Sequence, residues 1–168
     1  YVSLSYRTDG SSRFYKDNRW GRFWSVGGNW RISQEEFMSD LHWLNNLSLK
    51  ASYGVQGNDD LRYADNTSIL YAWDNYYEFG WNNVDMGGVK FNSIENKDLK
   101  WEMNENLNVG IEAKVFNRFN ATIEWYKRVT EDLLMQYPIA SSLGFDSYLR
   151  NIGSMRNTGF DISIGGTV

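Results

Sequence analysis

Between positions 71 and 83, six aromatic side chains (Tyr71, Trp73, Tyr76, Tyr77, Phe79 and Trp81) interleave with Asp74, Asn75, Glu78, Asn82 and Asn83. Flat rings offer apolar faces to sugar rings or peptide side chains, and amides and carboxylates hydrogen-bond polar groups. Tyr71, Trp73, Tyr76, Tyr77 and Trp81 are therefore the candidate ligand-binding residues. The alternative is that these rings pack a structured loop or meet a partner protein. Little else suggests chemistry. The one histidine, His42, stands beside Trp43 and is read as a surface residue rather than a base or ligand. No HExxH, GxSxG or phosphate-binding glycine motif occurs. The pairs Glu35-Glu36 and Asp59-Asp60 read as solvated charges. Asn58-Asp59-Asp60 lacks the spaced ligands of an EF-hand loop, and with no cysteine a thiolate metal site is impossible. No catalytic residue, metal site or cofactor is expected, and the chain is not read as an enzyme.

The elements that position these residues are strands. Leu107, Val109, Ile111, Ala113 and Val115 alternate with Asn106, Asn108, Gly110, Glu112 and Lys114. Phe119, Ala121, Ile123 and Trp125 alternate with Asn120, Thr122, Glu124 and Tyr126, and Leu47, Leu49, Ala51 and Tyr53 with Ser48, Lys50, Ser52 and Gly54. The same period of two runs through Trp20–Ile32, through Val2, Leu4 and Tyr6, and through Phe160, Ile162 and Ile164. Period two with unlike faces is the signature of a sheet with one oily and one wet side. Aromatic residues make up 17% of the chain and recur near the strand ends, as in the girdles of a membrane barrel. A soluble β-sandwich would give the same alternation.

Connection lengths favour the barrel. Long polar stretches run over 9–19, 55–99 and 130–152. Between them lie the Ser33–Asn46 connection and a turn of about two residues near Asn117-Arg118. Ser33-Gln34-Glu35-Glu36 reads as a capping box, so a short helix is expected there. Within the long 55–99 stretch, Ile69-Leu70-Tyr71 and Tyr76–Phe79 look like a hairpin around Asp74-Asn75. Both ends of the chain fall inside alternating segments, which makes it look like a fragment. Six strands are too few to close a membrane barrel, whose smallest common form has about eight.

The net charge of −4, with charges dispersed, argues against a nucleic-acid binder. In Asp9-Gly10-Ser11-Ser12-Arg13, Asp9-Gly10 can turn, the serines can bond nearby backbone, and Arg13 can pair with a neighbouring loop carboxylate. The segment is read as a structural loop motif.

Several of these words resemble the SusC/RagA family of TonB-linked outer-membrane proteins of Bacteroidetes. They are Asp9–Phe14 with Asn18-Arg19-Trp20-Gly21, Ser25–Ser33, Trp43–Asn58, Leu99-Lys100-Trp101-Glu102, Asn108–Glu112, Trp125–Leu134 and Asn151–Phe160. They come in the family's order and spacing over nearly the whole chain; Tyr15 and Trp24 depart from its more usual glycine and proline. The least family-like part is about 61–92, where loops that depend on substrate are expected. The resemblance implies an all-β, antiparallel, up-and-down transmembrane β-barrel fragment with long extracellular loops. Residues 1–168 would be a partial barrel domain contributing about six of about 22 strands. It further implies an outer-membrane transporter that imports oligosaccharides or peptides. Its partners would be a SusD-like lipoprotein, TonB acting through a plug outside these residues, and outer-membrane lipid. The rival expectations are a non-transporting adhesin or interaction barrel and a secreted carbohydrate-binding β-sandwich.

Overall fold

The computed structural model describes residues 1–62, 66 and 68–166. Ten strands form in chain order: β1 (Val2–Gly10), β2 (Trp20–Arg31), β3 (Leu44–Asn58), β4 (Tyr77–Phe79), β5 (Val89–Phe91), β6 (Glu102–Val115), β7 (Phe119–Glu131), β8 (Leu134–Pro138), β9 (Ser147–Asn151) and β10 (Ser154–Gly166). The long ones build one six-stranded sheet, ordered β1-β2-β3-β6-β7-β10 and antiparallel throughout. It is an open meander, and β1 and β10 are its edges. Among the described residues no helix is long and apolar enough to cross a membrane, which says nothing of strands.

Register turns the alternation into two unlike surfaces. Trp30, Leu49, Ile111, Ile123 and Ile162 lie side by side across successive strands, as do Ala51, Val109, Trp125 and Phe160. On the other face Ser5, Ser25, Gly54, Asn106, Arg128 and Asn157 form an equivalent row. Among the described residues no second sheet covers the apolar face: Ile111 is 50% and Ile162 65% exposed. A sandwich would bury these side chains against a facing layer about 10 Å away. The sandwich expectation fails on that observation.

The buried core lies among the loops instead. Phe14, Leu61, Ile69, Ala72 and Leu99 form it, with Trp101, Leu134 and Leu149 packed against it. These residues come from 11–19, 59–101 and 132–153, the connections at one end of the sheet. At the other end run only Ile32–Trp43 and the turn Phe116-Asn117-Arg118. In that turn Phe116 and Asn117 both take φ +53°, and the Arg118 N–H reaches the Val115 carbonyl at 3.1 Å. This matches the primed turns that join twisted antiparallel strands.

Two local expectations need correction. The hairpin in the 59–101 loop pairs β4 with β5, Tyr77 opposite Phe91, and turns at residues 80–88 rather than at Asp74-Asn75. Ile69 is drawn into the loop core and Tyr71 adopts φ +51°, so that segment cannot run as a strand. The Ser33 capping box does not form: the short helix expected there is two 3-10 turns, Ile32–Gln34 and Glu36–Met38, neither with a side-chain cap. Within the 130–152 stretch β8 and β9 make a second small hairpin.

Candidate functional site

The loop end is held together from Asp9 onward. Asp9, opposite Gly21, pairs with Arg7 at 2.6 Å. Gly10 stands opposite Trp20, whose ring lies where a Cβ would sit, 2.9 Å away. The buried Ser11 hydroxyl donates to Asp59 Oδ2 at 2.7 Å and accepts from the Arg13 N–H. Arg13 Nη1 donates to the Asp59 carbonyl at 2.9 Å and stands 3.4 Å from its carboxylate, while Nη2 donates to Ser68 Oγ at 2.8 Å. The Ser12 carbonyl accepts the Trp73 indole N–H. Further stitches run from Asn18 to the Lys97 carbonyl and from the Trp101 indole to the Arg19 carbonyl. Asn151 bonds both the Lys100 backbone and the Asp132 carbonyl, tying 132–153 to 59–101. A fork of guanidinium donors suits this multipoint contact, since each added bond fixes its orientation further.

The five candidate aromatic residues separate into two groups. Trp73 and Tyr76 turn inward. Trp73 packs edge-on against Tyr15 with centroids 5.1 Å apart, and Tyr76 lines a cavity of about 140 Å³ with Ile69, Ala72 and Tyr148. Tyr71, Tyr77 and Trp81 are exposed. The Tyr77 ring lies 4.8 Å from its cross-strand neighbour Phe91, and Lys90 Nζ sits 3.8 Å above the Trp81 ring. Thus Trp73, Tyr77 and Trp81 find three different partners and do not form one cluster. Both feet of the β4–β5 hairpin are pinned. The Asn92 N–H donates to the Tyr76 carbonyl at 2.7 Å, and the Tyr76 N–H donates to Ser93 Oγ at 2.9 Å.

A second surface was not singled out from the sequence. The polar sheet face carries a groove of about 730 Å³ lined by Ser3, Ser5, Arg7, Ser25, Ser52, Gln56, Asn106, Asn108 and Arg128, among others. Its polar groups bond across strands: Arg128 Nε donates to Asn106 Oδ1 at 2.8 Å, Ser25 to Ser5 at 3.3 Å, and Lys50 pairs with Glu112. At the top, Glu102 accepts from Asn58, from Asn104 and from the Leu134 N–H, joining wall to loops. The signal for this surface was present in the alternation, but only register shows which small and polar residues become neighbours.

Among the described residues no cluster of His, Cys, Asp or Glu could hold a metal ion. Asp59 is committed to Ser11 and Arg13, and Asp60 to Arg62 at 2.8 Å. The arrangement can bind and orient polar solutes.

Comparison with known proteins agrees with a section of barrel wall. Residues 1–167 match the family described as TonB dependent receptor-like, beta-barrel. The chain is 38% identical to TonB-dependent receptor P39 of Formosa agariphila over 97% of its own length and 15% of that protein. It is 34% identical to TonB-dependent receptor SusC of Bacteroides thetaiotaomicron over 96% and 16%. Among solved structures, the RagAB peptide importer in its closed-closed state superposes with a TM-score of 0.87 at 37% identity, covering all of this chain and 18% of that one. The open-open state gives 0.85. The chain therefore spans less than a fifth of the relatives it matches. With its two-faced antiparallel sheet and full-length match, it belongs to the TonB-dependent receptor β-barrel family.

Proposed function

We propose that this chain is wall and extracellular mouth of an outer-membrane transporter that imports oligosaccharides or peptides together with a SusD-like lipoprotein, energised by TonB through a plug outside these residues. The observation that carries the reading is the pairing of an uncovered apolar face with a polar, grooved face on the same six strands. Lipid accounts for the first and a water-filled lumen for the second. The strands, between 9 and 15 residues long, reach the roughly 9–11 residues that a tilted span needs. The packed loops then lie at the outer mouth, where the exposed Trp81 and Tyr77 meet ligand or lid. No step is covalent. The partner delivers the solute, loop rings and lumen amides hold it, and displacement of the plug lets it pass.

Deletion of the full-length receptor from its host, with growth scored on a panel of glycans and peptides as sole nutrients, tests this reading. Growth should fail on at least one, and be restored by the wild type but not by a receptor lacking its TonB-binding segment. Undiminished growth on every nutrient, with retained attachment defects, would favour the adhesin reading instead. On the nutrient so found, Trp81→Ala should weaken uptake while leaving the amount of receptor in the membrane unchanged. Trp73→Ala should lower that amount through lost loop packing.

A further inference from the structure

One apolar feature belongs neither to the wall strands nor to the loop platform. The connection Ile32–Trp43, at the short-turn end, makes two 3-10 turns and buries none of their residues. Phe37 is 69% exposed, and Leu41 and Trp43 are exposed as well. Two contacts place this connection beside the wall. Trp30, whose indole N–H donates to Glu35 Oε1 at 2.8 Å, stands in the apolar row beside Leu49 and Ile111, so the connection is tethered to the oily side of the wall. The Trp43 carbonyl accepts the Phe116 N–H at 2.8 Å, with the two rings 6.1 Å apart. Phe116, itself 62% exposed, lies next to the apolar face that begins at Phe119. Exposed apolar side chains thus occur both on the strands and on the connection tethered beside them.

We infer that Ile32–Trp43 is an interfacial foot. It lies on the bilayer surface at the short-turn end, with Phe37 and Leu41 dipping into the boundary between headgroups and acyl chains and the Trp30–Glu35 bond holding it against the outer wall. Amphipathic rings favour that depth, and acidic Glu36 and Asp40 beside them keep the segment from sinking further. A protein occupant entering from the lumen would have to meet the opposite face of the sheet. The inference rests on the membrane reading above and specifies how deep one segment sits.

The test uses the full-length receptor, freed of other cysteines and reconstituted in bilayers of phosphatidylethanolamine and phosphatidylglycerol. Nitroxide labels are placed through Phe37→Cys, Leu41→Cys, Ile123→Cys on the wall and Val84→Cys at the exposed hairpin tip. Accessibility to oxygen and to a water-soluble nickel chelate is then measured at each. The labels at 37 and 41 should show an oxygen-to-nickel ratio several-fold above that at 84 and below that at 123. Trp30→Phe, which removes only the indole donor, should raise nickel access at 37. A foot label as open to nickel as position 84, with 123 still in lipid, would overturn the foot alone. A foot label shielded from both reagents would mean that protein covers it, and would overturn it too. If position 123 is itself open to nickel, the membrane reading falls and the foot with it.

Discussion

Arg13 joins separate parts of the loop architecture through one side chain. It reaches the Asp59 backbone, the Asp59 carboxylate and Ser68 from a position 22% exposed. Hydrogen bonds to a charged group are worth about 1.5–3 kcal/mol when partly desolvated. Arg13→Ala should therefore loosen the segment following Asp59 by about 1–3 kcal/mol of local opening free energy. Hydrogen exchange at the Ile69 amide, bonded to the Leu61 carbonyl at 2.8 Å, reads this directly. Unchanged protection there would show that the apolar core alone holds the loop. Arg13→Lys should recover only part of the protection, because an ammonium cannot span both partners as a planar fork does. Phe23 shows what residue types alone conceal. By alternation it falls on the wet face with Ser25 and Gly27, yet its ring is buried. It packs edge-on against Trp101 at 5.3 Å, and a Cβ on Gly57 would fall 2.1 Å from its Cζ. A distant Trp and a Gly on the neighbouring strand make the pocket, and neither is visible from the strand itself.

At the scale of elements, the wall strands were legible and the loop elements were not. Alternation of the Leu107–Val115 kind survives because every second residue of a long strand meets the same environment. In the 59–101 loop no such uniformity exists. Ile69 and Ala72 serve a core built from other loops, so their apolar character carries no periodic message. The capping box expected of Ser33 and Glu36 is not made, and Glu35 between them accepts the Trp30 indole N–H. The β4–β5 hairpin is short, and an isolated two-stranded ribbon is marginal in water. Its stability comes from its pinned feet, so replacing residues 81–87 of the tip by a short Gly-Ser turn should leave barrel assembly intact. Heat-modifiable migration of the full-length receptor on gels, equal to wild type, is the expected result. Lost assembly would mean that the tip itself supports the fold.

At the scale of the whole molecule, the six strands leave two edges, β1 and β10, with backbone donors and acceptors open for pairing. In hydrocarbon each unpaired group costs several kcal/mol, so the wall must continue on both sides. Expressed alone, this polypeptide should aggregate through those edges and its uncovered apolar face. A monodisperse monomer in plain buffer with a sharp, reversible thermal transition would contradict it. The residue words read early as SusC/RagA-like are borne out by the relatives and by the superposition on the RagAB importer. Which loop rings face outward was less legible, since an exposed ring and a ring that packs a loop share one composition. Only coordinates separate the outward Trp81 from the inward Trp73.

The location of the buried core has a consequence for how such a receptor diversifies. Phe14, Leu61, Ile69, Ala72 and Leu99 seal a base beneath the β4–β5 ribbon, and Asn92 and Ser93 close the ribbon's neck. Sequence drift beyond that neck is mechanically uncoupled from the wall, much as a tool bit can be exchanged while its chuck stays fixed. Selection can then change the ribbon's tip without renegotiating the strand pairing of the wall.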